Sequence, residues 1–93
     1  MIECADGRCT LRGPITIDNV VSLLAQGNGL FTAPQVTVDL AQVTEVDSSA
    51  VSLLLEWHRE AGRNGRAVRF LKLPDNLKSL ATLYGVTELI SED

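Results

Sequence analysis

The chain has 93 residues, enough for one domain, and its 45% apolar and 22% charged residues match an average soluble globular protein. The formal net charge is −4, and the arginines between residues 59 and 66 are interleaved with Glu56 and Glu60, which argues against a nucleic-acid-binding face. No segment approaches the ~20 apolar residues of a membrane span, and the N-terminus lacks signal-peptide features. We therefore expect one domain over residues 1–93 that stays in the cytoplasm and reaches a membrane only through a partner.

A hairpin is predicted at the start of the chain. The dipeptide Asp6-Gly7 favours a two-residue turn between strands over residues 2–4 and 9–15. In that register Cys4 lies opposite Cys9. The two thiols are close enough to form a bridge, but cytosolic thiols are normally reduced, so we interpret them as small core residues. The two cysteines have no histidine near them in the sequence, so we predict no metal site. The sequence predicts no cofactor of another kind.

A helix and a strand follow the hairpin. Thr16 or Asp18 can cap a first helix, which is predicted to run to about Gln26 and to end at residues 27–29, Gly-Asn-Gly. Residues 36–40 alternate between apolar and polar, which predicts a strand. The residues expected to face the core are Val20, Val21, Leu23, Leu24, Val36, Val38 and Leu40.

The second half of the chain repeats the pattern of helix and strand. A long second helix is predicted from Asp47 to Arg63, and Asn64-Gly65 ends it. A strand around residues 68–70 and a third helix over residues 75–84 follow, and residues 86–90 suggest a short last strand. In the third helix, the residues that share an apolar face are Leu77, Leu80, Ala81 and Tyr84.

The predicted strands are apolar on one face and polar on the other. A sheet with this asymmetry packs its helices on one side only. We therefore predict an α/β fold in two layers, with a mixed sheet of four to five strands and helices on one face. The apolar face contains Ile2, Cys4, Leu11, Val36, Val38, Val68 and Phe70, and the polar face contains Glu3, Thr10, Arg12, Thr37, Asp39 and Arg69.

The second helix has an apolar arc wider than a helix needs to cover a sheet, because Leu53 and Trp57 extend it. Two explanations remain open at this point. Either neighbouring helices cover the excess, or Leu53 and Trp57 are partly exposed and contact a partner. His58 falls inside the same arc, and we expect a largely buried imidazole there rather than a catalytic one.

The start of this helix, Asp47-Ser48-Ser49, is the candidate functional site. A serine there can cap the first free amides, and the same amides and the helix dipole can hold a phosphate or a partner's carboxylate. Ser48 therefore has three interpretations: a cap, an interface residue, or a phosphorylated switch whose added charge beside Asp47 would alter binding.

The usual catalytic motifs are missing from the sequence. It has neither the G-x-x-x-x-G-K-[ST] phosphate loop nor the G-x-S-x-G elbow, and its single histidine lies in the middle of a helix. We therefore predict a binding module rather than an enzyme. A small enzyme that uses Ser48 is the least favoured alternative.

The order of elements, with Val-Asp-Ser-Ser-Ala at the start of the long helix, resembles the STAS domain, named for sulphate transporters and anti-sigma-factor antagonists. The segments that carry this resemblance lie at residues 11–15, 36–40, 46–50 and 80–86. In the antagonists, the first serine of Asp-Ser-Ser/Thr-Gly is phosphorylated by a partner kinase. Ser48 matches that serine, which implies possible phosphorylation there, and Ala50 stands where the antagonists carry glycine.

Within the family, the short length and the segments at residues 53–57 and 83–86 are more similar to the STAS subunit of Mla-type phospholipid ABC transporters. This resemblance implies a non-catalytic cytoplasmic accessory subunit, peripheral to the inner membrane, that binds and supports the ATPase subunit of a permease-bound complex. The alternative is an anti-sigma-factor antagonist regulated by phosphorylation of Ser48. Both leave the oligomeric state open. The residues expected at the partner interface are Asp47, Ser48, Ser49, Leu53 and Trp57.

Overall fold

The computed structural model describes residues 2–90, apart from the side chain of Leu89. Within them the chain forms strands and helices in the order β1, β2, α1, β3, α2, β4, α3, α4. The strands are β1 (Ile2–Ala5), β2 (Arg8–Ile15), β3 (Gln35–Val46) and β4 (Ala67–Leu71), and the helices are α1 (Val20–Leu30), α2 (Ser48–Arg63), α3 (Asp75–Leu83) and α4 (Thr87–Ile90). No helix in this part of the chain combines the length and apolarity needed to cross a membrane.

The sheet has the strand order β1-β2-β3-β4. Strand β1 pairs antiparallel with β2, whereas β2 with β3 and β3 with β4 pair in parallel. The apolar side chains of the strands are buried, and the opposite face exposes polar residues such as Glu3 and Arg12, which form an ion pair at 2.9 Å. This arrangement confirms the predicted two-layer α/β fold with a mixed sheet.

The hairpin forms as predicted, but its cysteines are not free thiols. Asp6 and Gly7 have φ angles of 55° and 80°, the left-handed pair that a type I′ turn requires. This turn places Cys4 directly opposite Cys9, with their Cα atoms 4.0 Å apart, and the two side chains form a disulfide. The interpretation of two reduced core residues is therefore wrong, because the register brings the sulfurs into bonding contact.

Helix α1 differs from its prediction at both ends. Neither Thr16 nor Asp18 caps it; the N-cap is Asn19, whose side chain instead accepts a hydrogen bond from the amide of Thr16 at 3.0 Å. The helix also continues through residues 27–29 to its end at Leu30 rather than stopping at the glycines. Val21, expected in the core, is 77% exposed because α1 turns that side to solvent.

The glycines are tolerated in α1 because one of them lies against a tryptophan of α2. A Cβ on Gly27 would overlap Nε1 of Trp57 and lie 2.5 Å from its Cε2. The indole also packs edge-on against Phe31, with ring centroids 4.9 Å apart. Packing against α2 thus fixes the path of α1, and it supplies the helical stability that the glycines do not.

Two further segments differ from expectation. Strand β3 continues past residue 40 to Val46, with an irregularity where Arg12 pairs with Gln42. The segment predicted as a last strand is instead the helix α4, which contacts α2 and α3 and buries Ile90 in the core. This short helix closes the core beside α3 and adds no strand to the sheet.

Candidate functional site

Asp47 connects the start of α2 to the loop before α1. It follows β3 directly, and its amide donates a 3.3 Å hydrogen bond to the carbonyl of Ile15 at the end of β2. Its Oδ1 accepts from the amide of Ser49 at 2.8 Å, which makes Asp47 the N-cap of α2. Its Oδ2 accepts from the amide of Ile17 at 3.0 Å. One carboxylate therefore binds both the start of α2 and the loop before α1, although Ile17 and Asp47 are 30 residues apart.

These hydrogen bonds keep Asp47 ionised. The amide of Ile17 lowers the pKa of Asp47 below its ordinary value, partial desolvation opposes this shift, and the amide of Ser49 lowers the pKa further. The carboxylate is also favoured by the positive end of the α2 dipole. The start of α2 thus has a fixed negative charge at neutral pH.

Ser48 is the first residue of α2 and is exposed. Its hydroxyl has no hydrogen-bond partner among residues 2–90, so the interpretation of Ser48 as the helix cap is wrong. The side chain of Asp47 reaches the free amide first, because it is the residue with extended backbone before the first turn. The hydroxyl of Ser48 is therefore available to solvent or to a partner.

Replacement of Ser48 by alanine is expected to change the free energy of unfolding by no more than about 0.5 kcal/mol, the usual range for an exposed side chain without a partner. Denaturant unfolding of the variant beside the unaltered chain measures this difference. A loss near 1 kcal/mol, as is typical when a helix cap is removed, would contradict the assignment of the cap to Asp47.

Exposed apolar side chains lie on both sides of Asp47 and Ser48. Ile17, whose amide binds Asp47, is 71% exposed, and Val21 in the first turn of α1 is exposed as well. On the other side, Leu83 and Tyr84 at the end of α3 are 75% and 54% exposed. These residues were not predicted as site candidates, because the apolar pattern of the sequence assigned Val21 and Tyr84 to the core. We call the surface formed by Asp47, Ser48, Ser49, Ile17 and Tyr84 the α2-start surface.

Two open grooves run through the α2-start surface. One, of about 300 Å³, is lined by Ser48, Ser49 and Tyr84 together with other residues of α2. The other, of about 360 Å³, is lined by Ile17 and by three carboxylates. Within residues 2–90 none of these carboxylates forms an ion pair. They belong to Asp18, Glu45 and Asp47.

The other predicted interface residues do not lie on this surface. Leu53 and Trp57 are 2% and 1% exposed, because α1 and α3 cover the wide apolar arc of α2. Their assignment as partner contacts is corrected by this burial, and the explanation by neighbouring helices is confirmed. His58 is exposed rather than buried, so the prediction of a core imidazole is wrong as well.

The sequence and the fold both match known proteins. Residues 2–91 match the family model described as "Mlab, STAS domain". No curated protein has significant similarity to the chain. The structure resembles that of the anti-sigma factor antagonist SpoIIAA in its unphosphorylated form, with a TM-score of 0.78 and 15% identity over 100% of this chain and 86% of that one.

A crystal structure of Mglu is also similar, with a TM-score of 0.64 and 24% identity over 83% of this chain, which corresponds to 20% of that longer chain. At these identities the likeness shows the fold alone. It confirms the predicted STAS-like architecture, and the family match covers almost every residue. The chain therefore belongs to the STAS domain family, in the group described by the Mlab model.

Proposed function

We propose that this chain is a non-catalytic accessory subunit of an Mla-type phospholipid ABC transporter, located in the cytoplasm and bound to the ATPase subunit through the α2-start surface. The match to the Mlab model supports this proposal. The observation that carries it is the exposure of Ile17 and Tyr84 on either side of Asp47 and the free hydroxyl of Ser48. Exposed apolar side chains that are flanked by polar ones are a feature of surfaces that bind another protein.

The charge of this surface indicates what the partner presents. Asp18, Glu45 and Asp47 line one groove without an ion pair in the described part of the chain. A partner segment with a basic side chain between apolar ones is complementary to them. The dipole at the start of α2 favours polar contacts at Ser48 and Ser49.

The geometry at Ser48 supports a binding role rather than catalysis. A nucleophilic serine needs a base within hydrogen-bond reach. His58 is on the same helix ten residues later, which at about 1.5 Å per residue is roughly 15 Å along the axis. Asp47, the neighbouring carboxylate, is occupied by two backbone amides. The fold thus gives Ser48 no activating partner among residues 2–90.

Replacement of Ser49 by glutamate is expected to abolish binding to the ATPase subunit while the thermal midpoint of the isolated chain stays nearly unchanged. Ser49 lines the groove beside Ser48, and the longer side chain of glutamate would fill the space that the partner segment occupies. Co-purification of the tagged chain with the transporter from its own cells, in mild detergent, measures binding. Thr32→Glu, an exposed change in the loop before β3, is the matched control and should bind normally. Normal binding by Ser49→Glu would place the interface elsewhere.

An anti-sigma-factor antagonist switched by phosphorylation of Ser48 is the second candidate. The similarity to the SpoIIAA fold and the free, exposed hydroxyl of Ser48 favour it. The same co-purification distinguishes the two candidate functions. Recovery of an ABC ATPase with its membrane permease supports the proposal of an accessory subunit. A soluble kinase without an ATPase supports the antagonist, and mass spectrometry of the purified chain would then find phosphate on Ser48.

A further inference from the structure

A cavity of about 170 Å³ lies at the end of the domain opposite Asp47, between the C-terminal ends of α1 and α2. Its apolar wall includes Phe31, Val36, Trp57 and Val68, all of them buried residues of the core. The cavity opens to solvent between polar side chains that include Asn28, Glu60 and Asn64. Its volume is similar to that of a protein cavity of about 150 Å³ that binds benzene, so a single aromatic ring is the size of group that it can hold.

The turn after α2 places an arginine at the rim of this cavity. Gly65 has a φ of 68°, and the amides of Arg66 and Gly65 donate to the carbonyls of Ala61 and Gly62 at 2.8 and 3.3 Å. This pattern is a Schellman motif, which fixes the direction of the chain at Arg66. From there the Nη1 atom of Arg66 donates to the carbonyl of Phe31 at 3.1 Å. The guanidinium is thus held beside the aromatic wall.

Most of the donors of Arg66 remain available. A guanidinium has five N–H groups, and the contact with Phe31 uses one. Arg66 has no ion pair within residues 2–90, and Glu60, which lies on the same rim, is paired with Arg63 at 2.6 Å. The carbonyl of Glu60 at the end of α2 accepts hydrogen bonds from the backbone and side-chain amides of Asn64. The N–H groups of Arg66 are therefore not needed to satisfy that carbonyl. A fixed cation without a counter-ion at the mouth of an apolar cavity attracts an anion.

We propose that this cavity binds a small aromatic carboxylate, with the ring against the wall that Trp57 and Phe31 form together and the carboxylate on Arg66. The planar guanidinium suits a carboxylate because it can donate two parallel hydrogen bonds. The site is separate from the α2-start surface and does not depend on the function proposed for that surface.

Benzoate tests the site on the unaltered chain. Trp57 is the only tryptophan, so its fluorescence reports on this cavity alone. Benzoate should produce a saturable change, and benzyl alcohol, which has the same ring without the charge, should bind at least about tenfold more weakly. In ¹H–¹⁵N spectra, the indole N–H of Trp57 should be among the shifted signals. No saturable change, equal affinity for both compounds, or shifts that leave the indole unaffected would overturn the proposal.

Replacement of Arg66 by glutamine should weaken benzoate binding about 10- to 100-fold, which corresponds to the loss of a charged hydrogen-bond partner. Arg59→Gln removes the same charge from an exposed position on α2 outside the cavity, and it should bind benzoate normally. If Arg66→Gln binds as tightly as the unaltered chain, the carboxylate does not lie on Arg66 and the proposal fails. The comparison of benzoate with benzyl alcohol decides the question even if the variant does not fold.

Discussion

Replacement of Gly27 by alanine is expected to lower the free energy of unfolding by about 2–3 kcal/mol, although alanine favours helices. The added Cβ would overlap Nε1 of Trp57. The indole is 1% exposed and packs edge-on against Phe31, so it cannot move without disturbing the packing of the core. Helix α1 would have to move away from α2 and open the core between them. Thermal unfolding measures the effect, and in a domain of this size the midpoint should fall by about 10 °C or more.

Gly29→Ala is the matched control two residues later in the same helix. A Cβ at Gly29 would meet no atom within 4 Å, so only the backbone preference changes. This variant should gain up to about 1 kcal/mol, because glycine is a poor helix former. If Gly27→Ala lowers the free energy of unfolding and Gly29→Ala raises it, the contact with Trp57 is the reason for the glycine at position 27. A stabilising effect at both positions would contradict the close packing.

Asp47→Ala is expected to produce the second large effect, a loss of stability that depends on pH. The variant leaves the amides of Ile17 and Ser49 without an acceptor. In the folded chain the pKa of Asp47 is lowered, chiefly by the amide of Ile17, so its stabilising effect is fully present above the unfolded pKa. That stability is lost as the pH falls through the folded pKa. The unaltered chain and the variant should therefore differ most at neutral pH and converge under acid conditions.

Unfolding midpoints of both proteins between neutral and acid pH measure this convergence. Asp18→Ala is a suitable control, since its exposed carboxylate lines the same groove without accepting a hydrogen bond from residues 2–90. It should leave stability almost unchanged at every pH. Asp47→Asn keeps an oxygen that can accept from the amide of Ser49. Its stability should lie between that of Asp47→Ala and that of the unaltered chain, and it should not show the loss in acid because the side chain has no charge. A pH-independent difference between Asp47→Ala and the unaltered chain would rule out the ionised carboxylate as the stabilising group.

The elements with local signals could be predicted from the sequence. The dipeptide Asp6-Gly7 is sufficient to specify the turn and therefore the pairing of Cys4 with Cys9. Helix α2 ends at Arg63 as predicted, because Gly65 adopts the positive φ that its C-terminal turn requires. Helix α1 could not be predicted in the same way. Its glycines usually end helices, and the partner that makes Gly27 favourable is 30 residues further along the chain.

The start of α2 was predicted in position, but its hydrogen bonding was not. The run Asp47-Ser48-Ser49 does begin α2, yet the cap is Asp47 and not Ser48. Whether Trp57 is core or interface depends on what covers it, and this is decided by the path of α1. Ile17 and Leu83 were missed because an isolated apolar residue has the same sequence signal whether it is buried or exposed. Only the assembled fold distinguishes the two.

The disulfide has a consequence for how copies of this chain can associate. Strand β1 is a four-residue edge strand joined to the sheet by a two-residue turn. Short terminal strands of this kind can be exchanged between identical chains when the turn opens into an extended hinge. The bond between Cys4 and Cys9 closes the hairpin on both sides of the turn, so Asp6 and Gly7 cannot extend. While the bond is intact, each chain must keep its own first strand, and domain swapping through β1 is excluded.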